Sequence, residues 1–404
     1  MSEPNPALSR REVLSLAGRG AASLGLAGFL AACGVAGSAK KTQVKGLKVL
    51  PPQSGELVIA SWPKYIDQDE TTKKRPSIET FQKETGIKVT YKEVIGDNEV
   101  FFGTIRESLA RGAPTGWDIY VVSDWLVGKQ IRLGYLQELH LDRLSNFTAN
   151  AGAIYKNPTY DPGNRHSIPW QAGLTGIAYN QKLTKRPITS FDDLFDPAFK
   201  GKVGMFLEMR DTVNLALLGA GVDLQKATVD DVRAVQQRLL KQKQDGIVRA
   251  YYDNAYIDAL ARGDIWLTMA WSGDVIQLTL DNPDLKFIIP NEGGVIWVDN
   301  MVIPNGAQHP TDAHEWMNFV YRPQIDAQIT EAVNYVSPVP AAQTLIRQHA
   351  AAATSADDRD YLNGVAESPL VFPTADMQSR LHYYKNLSEA EEKEWNDLFQ
   401  RVTT

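Results

Sequence analysis

Residues 292–304 have the sequence EGGVIWVDNMVIP, in which two glycines precede a run typical of a β-strand over residues 295–300. Side chains alternate between the two faces of a strand, so Trp297 and Asp299 are predicted to point the same way. An indole ring and a carboxylate on one face can bind an organic cation, through cation–π attraction and charge. A core tryptophan beside a solvated aspartate is an equal alternative on these residues alone. We interpret this strand as the second of two connections between lobes.

Short apolar segments alternate with helical ones from residue 56 onward, which predicts an α/β fold with mainly parallel sheets. Ligands in such folds bind at the carboxyl ends of the strands. Trp62, Tyr65 and Trp125 each follow a predicted strand and are therefore candidate binding residues. Two short strands, residues 167–170 and 175–179, are expected to carry the chain out of the first lobe.

Two further segments combine acids and aromatic residues in the same way. Glu208 and Asp211 open a predicted helix, where carboxylates three residues apart lie on one face and repel each other. Helix capping and the helix dipole account for one of these acids better than for both, so we favour a cation site. Trp271 and Asp274 pair an aromatic residue with an acid at a strand-to-helix junction.

The composition describes a globular protein and limits its partners. A chain of 404 residues is longer than one compact core usually holds and predicts two lobes. The net charge of −6 argues against nucleic acid as the main partner. Cys33 is the one cysteine of the chain, so a domain that follows it contains no disulfide.

The first 33 residues resemble an export signal. Arg10 and Arg11 are typical of twin-arginine signals, and a largely apolar stretch over residues 14–32 follows them. The run Leu-Ala-Ala-Cys that ends at Cys33 resembles the lipobox of bacterial lipoproteins. A catalytic thiol is the alternative, but a nucleophile at the end of an export segment has no fold around it. We therefore expect lipidation at Cys33, and a flexible tether over residues 34–54.

Sequence signals for catalysis, metals and cofactors are weak. There is no glycine-rich phosphate loop, no nucleophile elbow and no histidine pair at metal spacing. We therefore expect no catalytic residue, no metal site and no cofactor. Paired carboxylates are also compatible with glycoside hydrolysis, which requires one acid of raised pKa in an apolar pocket. That alternative stays open at this point.

Several short motifs occur together, and their order resembles that of the polyamine-binding (spermidine/putrescine-binding) proteins of bacterial ABC importers. They are SWPKYI at 61–66, ETGIKV at 84–89, DNE at 97–99, DIYVVS at 118–123, YDPGN at 160–164, TGIAYN at 175–180, WSGD at 271–274, and WVD at 297–299 before Ile303 and Pro304. Each motif is weak alone, whereas the ordered set, from about residue 55 to the C-terminus, is specific.

The resemblance implies a two-lobed fold of the type II periplasmic-binding-protein kind, with the ligand between the lobes. It implies ligand contacts by aromatic side chains, by a serine and by acids: Trp62, Tyr65, Ser123, Trp125, Glu208, Asp211, Trp271, Asp274, Trp297, Asp299 and Tyr335. Asp274 matches an acid of the putrescine-selective branch, and a last contact is expected from Tyr383 or Tyr384. Lys64 departs from that branch, which has an acid at this position.

The resemblance also implies an organisation and a function. We expect a signal peptide over residues 1–33, a tether over 34–54, lobe 1 from 55–170 with about 299–345, and lobe 2 from 171–298 with C-terminal helices over about 346–404. The expected protein is a monomeric, lipid-anchored solute receptor outside the cytoplasmic membrane, which delivers a polyamine to an ABC permease and is not an enzyme. Receptors for another organic cation or a sugar, and a glycosidase-like enzyme, are the alternatives.

Overall fold

The computed structural model describes residues 47–69 and 71–404. The predicted export signal, the lipidation site at Cys33 and most of the predicted tether lie outside the described residues. Within the described ranges, no helix combines the length and the apolar character needed to cross a bilayer. Residues 47–54 have no regular structure, and they contact the domain: the Ser54 N–H donates to the Asp312 carboxylate at 2.9 Å, and Thr311 donates to the Pro51 carbonyl at 2.5 Å.

Ten strands form the described sheet. They are β1 (Glu56–Ser61), β2 (Lys88–Glu93), β3 (Ile119–Ser123), β4 (Ser167–Asn180), β5 (Val203–Phe206), β6 (Val248–Tyr252), β7 (Leu267–Trp271), β8 (Leu285–Ile288), β9 (Gly294–Val302) and β10 (Leu381–His382). The strand predicted over residues 295–300 lies within β9.

The α-helices of the described chain cover the sheet and alternate with its strands. They are α1 (Pro76–Thr85), α2 (Asn98–Arg111), α3 (Asp124–Leu133), α4 (Ser145–Asn150), α5 (Gln181–Thr184), α6 (Met209–Gly219), α7 (Val229–Gln244), α8 (Tyr256–Ala261), α9 (Ser272–Asp281), α10 (Pro310–Val320), α11 (Pro323–Val333), α12 (Ala341–Ala352), α13 (Ala356–Glu367), α14 (Ala375–Ser379) and α15 (Glu389–Thr403). Side chains cap several of these helices: the Asp97 carboxylate accepts the Val100 N–H at 2.8 Å, and Thr228 caps α7.

The sheet is parallel at both ends and antiparallel in the middle. Its main path has the order β2-β1-β3-β9-β4-β7-β5-β6, with β8 paired to β4 and β10 paired to β9. Strands β2, β1 and β3 are parallel to one another, as are β7, β5 and β6. The long strands β4 and β9 lie between these groups. They pair antiparallel with each other and with β3, β7 and β8, whereas β10 pairs parallel with β9. The expected mainly parallel arrangement therefore holds outside the two central strands.

Strand β4 corrects one expectation. The two short strands predicted over residues 167–170 and 175–179 are a single strand of 14 residues, buried along its whole length. The polar and small residues at 171–173 weaken the local strand signal. Pairing with β9 on one side and with β7 and β8 on the other compensates for that weakness. A register shift between Pro169 and Gln171 places a β-bulge at Trp170.

Two large hydrophobic clusters lie along the sheet. One contains β5, β7 and α6 together with Trp395 and Phe399 of the C-terminal helix α15. The other contains β1 and α10 together with Trp170, Trp297 and Tyr335. The single continuous sheet joins both clusters, and the lobe boundaries given above remain predictions.

Candidate ligand-binding site

Asp299 lies at the centre of the candidate site, in the middle of β9. Its side chain is 4% exposed, and the Ser123 hydroxyl donates to its Oδ1 at 2.6 Å. Ser123 is the residue directly opposite on β3. Asn98 holds this serine, since its amide donates to the Ser123 hydroxyl at 3.0 Å and accepts the Ser123 N–H at 3.2 Å. Burial raises the pKa of Asp299 from 3.8 to about 7.

Three aromatic rings pack against one another near Asp299. The ring of Tyr335 lies 5.1 Å from that of Tyr65, edge-on, and 5.8 Å from that of Trp297. Gly173 faces Trp297 across the β4–β9 pair, and a Cβ at this position would lie 2.3 Å from the indole. Gly273 has the same relation to the Tyr335 ring, at 2.4 Å. Both glycines are therefore required by the close packing of the rings.

Asp211 forms a second buried acid centre at the start of α6. Its Oδ1 accepts from the Thr175 hydroxyl at 2.6 Å and from the Tyr384 hydroxyl at 2.5 Å, and its Oδ2 accepts from the Trp271 indole at 3.1 Å. Thr175 also accepts the Trp297 indole N–H at 3.1 Å, which links this centre to β9. Burial raises the pKa of Asp211 even though these donors stabilise the charged form.

Glu208 precedes Asp211 by three residues and caps α6. Its carboxylate accepts the Arg210 N–H at 3.3 Å, so the capping explanation is correct for this acid. Burial, followed by the charges of Asp97 and Asp211, raises the pKa of Glu208 to about 8. Burial and the neighbouring negative charges thus both favour the protonated form of Glu208 beside Asp211.

Asp274 occupies the first turn of α9 and is held by two tyrosines. The Tyr256 hydroxyl donates to its Oδ2 at 2.7 Å and the Tyr335 hydroxyl donates to its Oδ1 at 2.9 Å. Burial raises the pKa of Asp274, while the charge of Lys64 acts to lower it. Lys64 is exposed and has a left-handed backbone with φ of 55°. The lysine that departs from the expected pattern is therefore close enough to influence this acid.

The two remaining tryptophans have protein partners. The half-buried Trp62 donates its indole N–H to the Val121 carbonyl at 3.1 Å. Trp125 is buried, and the guanidinium carbon of Arg210 lies 4.3 Å from its ring centroid. Arg210 also pairs with Glu392 at 3.1 Å. One face of Trp125 is thus covered by a cation of the protein itself.

Sequence reasoning did not identify all polar residues of this region. Asp124 begins α3, is 4% exposed, and accepts the Trp125 N–H at 2.7 Å. Burial raises its pKa to about 7, and the neighbouring charge of Asp299 adds to the rise. Its position directly after a strand and before a tryptophan is a signal that could have indicated it. The neutral residues that complete the hydrogen-bond networks carry no such signal: Asn98, Thr175 and Tyr256.

The structure also distinguishes the two C-terminal tyrosines. Tyr384 donates to Asp211, whereas Tyr383 is 43% exposed. Tyr384 is therefore the tyrosine that reaches the candidate site. Within the described residues, no group of three or more histidine, cysteine or acidic side chains has an arrangement suited to a metal ion.

The arrangement suits a cationic, partly apolar ligand. Five acids with raised pKa values surround rings that can pack against methylene groups: Asp124, Glu208, Asp211, Asp274 and Asp299. A cation that enters such a site stabilises the ionised carboxylates and lowers their pKa values. Hydrogen bonds from Ser123, Thr175, Tyr256, Tyr335 and Tyr384 orient the carboxylates before any ligand arrives.

Fold and site together define a solute-binding protein of the periplasmic-binding-protein type. Residues 77–358 match the family described as bacterial extracellular solute-binding protein, and the chain belongs to that family. This family consists of transport proteins that bind solutes, which disfavours the glycosidase-like alternative.

The relatives of this chain include proteins named for polyamines. The spermidine/putrescine-binding periplasmic protein 1 of Haemophilus influenzae is 26% identical over 371 residues, which cover 91% of this chain and 95% of the relative. The corresponding Escherichia coli protein is 29% identical over 291 residues, covering 72% and 79%. The solved spermidine/putrescine ABC transporter substrate-binding protein of Streptococcus pneumoniae is similar with a TM-score of 0.70 and 25% identity, covering 86% of this chain and 98% of that one.

Proposed function

We propose that this protein captures an aliphatic polyamine, such as spermidine or putrescine, outside the cytoplasm and delivers it to the permease of an ABC importer. The main observation in support is that Asp299 is buried beside Tyr65, Tyr335 and Trp297 and has a raised pKa. An ammonium group on a methylene chain complements this arrangement, because the carboxylate binds the charge and the rings pack against the methylene groups. The second acid centre at Asp211 supplies a partner for a second ammonium group. The names of the relatives support the same ligand class.

The proposed ligand contacts are those predicted from the sequence, with Tyr384 added. We further propose that spermidine binds more tightly than putrescine, because several acids are available and Lys64 disfavours a cation near Asp274. The proposal also includes twin-arginine export, lipidation at Cys33, a monomeric state and two lobes with the boundaries stated above.

Isothermal titration of the purified domain with spermidine, putrescine, γ-aminobutyrate and glucose tests the function. A polyamine is expected to bind one to one with a Kd in the micromolar range, which corresponds to about −8 kcal/mol. Tight binding of glucose or γ-aminobutyrate without polyamine binding would overturn the proposal. Tighter binding of putrescine than of spermidine would overturn the stated preference alone.

A further inference from the structure

Gln171 is buried in β4 without a hydrogen-bond partner for its amide. The side chain is 1% exposed, and its Oε1 is fully enclosed and unpartnered. An unsatisfied buried polar group destabilises a folded protein by about 1–3 kcal/mol. The buried Gln242 also has an unpartnered Oε1, whereas the amide of the buried Gln236 donates to the Leu398 carbonyl at 2.7 Å. Gln171 therefore differs from Gln242 in its position in the fold and not in its unpartnered oxygen.

The position of Gln171 directs its amide toward the candidate site. Gln171 lies directly opposite Asp299 in the antiparallel pair of β4 and β9, so both side chains leave the same face of the sheet. The bulge at Trp170 precedes it, and bulges commonly re-aim side chains beside functional sites. Trp170 in turn donates its indole N–H to the Tyr65 carbonyl at 3.1 Å. The bulge therefore positions Gln171 and Tyr65 together.

The hydroxyl of Tyr65 is a second fully enclosed atom of this region that lacks a well-aligned hydrogen bond, and it lies close enough to the Asp299 carboxylate for the two groups to interact. The ring is 4% exposed, and its pKa is raised well above the usual value by burial and then by the charge of Asp299. Three acceptor oxygen atoms thus lie in one region: the amide oxygen of Gln171, the hydroxyl of Tyr65 and the carboxylate of Asp299. A primary ammonium group has three N–H donors, which equals the number of these acceptors.

We propose that Gln171 is a ligand-binding residue whose amide carbonyl accepts an N–H from the terminal ammonium group bound by Asp299 and Tyr65. The inference rests on the proposed function and adds a selectivity: the site favours a primary ammonium terminus over one whose hydrogens are replaced by methyl groups. A protonated dimethylated nitrogen retains its charge and one N–H, which the Asp299 carboxylate accepts, so no N–H is left for Gln171.

The test compares Gln171→Met with Gln242→Met. Gln242 is likewise buried with an unpartnered Oε1, but its amide donates to the Leu194 carbonyl at 2.6 Å in the core. Each variant is titrated with spermidine and putrescine, and with the same polyamines dimethylated at both terminal nitrogens. Thermal unfolding without ligand is measured in parallel.

Gln171→Met is expected to bind the unmethylated polyamine about tenfold to a hundredfold more weakly, as for loss of a hydrogen bond to a charged group. It is expected to discriminate less against the methylated polyamine than wild type does, and to unfold at the wild-type temperature or above. Gln242→Met is expected to bind like wild type. Gln171→Glu retains an acceptor oxygen and is expected to bind more tightly than Gln171→Met.

Unchanged affinity and unchanged discrimination in Gln171→Met would overturn the inference while leaving polyamine binding in place. Gln171→Met could also lose affinity together with a large fall in unfolding temperature, and Gln171→Glu could fail to restore either. That result would assign Gln171 a structural role and would also overturn the inference. Failure of the wild-type protein to bind either polyamine would instead overturn the proposed function, and the ammonium assignment with it.

Discussion

Asp299→Asn is expected to weaken polyamine binding and to stabilise the ligand-free protein at pH 8. Burial raises the pKa of Asp299 from 3.8 to about 7 in the empty site. A rise of this size disfavours the ionised carboxylate by roughly 4 kcal/mol. Asparagine has nearly the same size and can still accept the Ser123 hydroxyl, but it carries no charge. The variant therefore avoids the free-energy cost of a buried charge, but it no longer offers a carboxylate to an ammonium group.

The binding loss follows from leaving that ammonium group without its carboxylate. Removing one partner of a buried charge pair costs about 2–5 kcal/mol. This range corresponds to a Kd roughly 30-fold to 4,000-fold weaker than that of wild type. The measurement belongs at pH 8, where Asp299 of the wild-type protein is mostly ionised even before the ligand binds.

The stability effect has a defined dependence on pH. Between about pH 4 and about pH 7, the folded protein retains a proton on Asp299 that the unfolded chain has released. The free energy of unfolding of the wild-type protein therefore falls as pH rises through this window. Asp299→Asn lacks this contribution, so its stability relative to wild type is expected to increase from pH 5 to pH 8.

Chemical denaturation at pH 5 and pH 8 and titration calorimetry at pH 8 check both effects. Asp326→Asn is the matched control, because Asp326 is also buried with a pKa raised to about 7 but bonds to Ser337 and Thr330. It is expected to share the stability effect in direction and to retain affinity. Wild-type affinity in Asp299→Asn, or a relative stability that does not change with pH, would refute the reasoning.

Three further predictions concern packing and attachment. Gly173→Ala places a methyl group against the Trp297 indole and is expected to destabilise the protein by about 1–3 kcal/mol and to weaken binding in denaturation and titration. Gly103→Ala, which has open space around it within α2, is expected to leave binding unchanged and to stabilise the protein by about 0.5–1 kcal/mol. Trp297→Leu is expected to weaken binding less than Asp299→Asn does, because cation–π contacts contribute about 0.5–2 kcal/mol; a larger loss by calorimetry would contradict this. Cys33→Ala is expected to leave the protein exported but released from membranes on fractionation, and continued membrane association would contradict lipidation.

The sequence located the acidic and aromatic residues of the site but not their partners. Trp297 is buried within a hydrophobic cluster, so it contributes to packing, and its contact with a ligand remains a prediction. Trp125 was predicted as a ligand contact, and the structure shows Arg210 over one of its faces. Arg210 and Glu392 are far apart in sequence, so no local pattern indicates that they meet.

Local physical rules determined much of this protein from the sequence alone. Strand alternation places Trp297 and Asp299 on one face, and capping side chains such as Asp97 and Thr228 fix where helices begin, because both depend on neighbours within a few residues. Tertiary structure alone decided that β4 is one continuous strand with a bulge and that Gln171 faces Asp299 without a hydrogen-bond partner. Tertiary structure also raises the pKa values of acids such as Asp299 and Glu208. These values depend on burial, and the segments that bury the acids are distant in sequence and meet only in the folded protein.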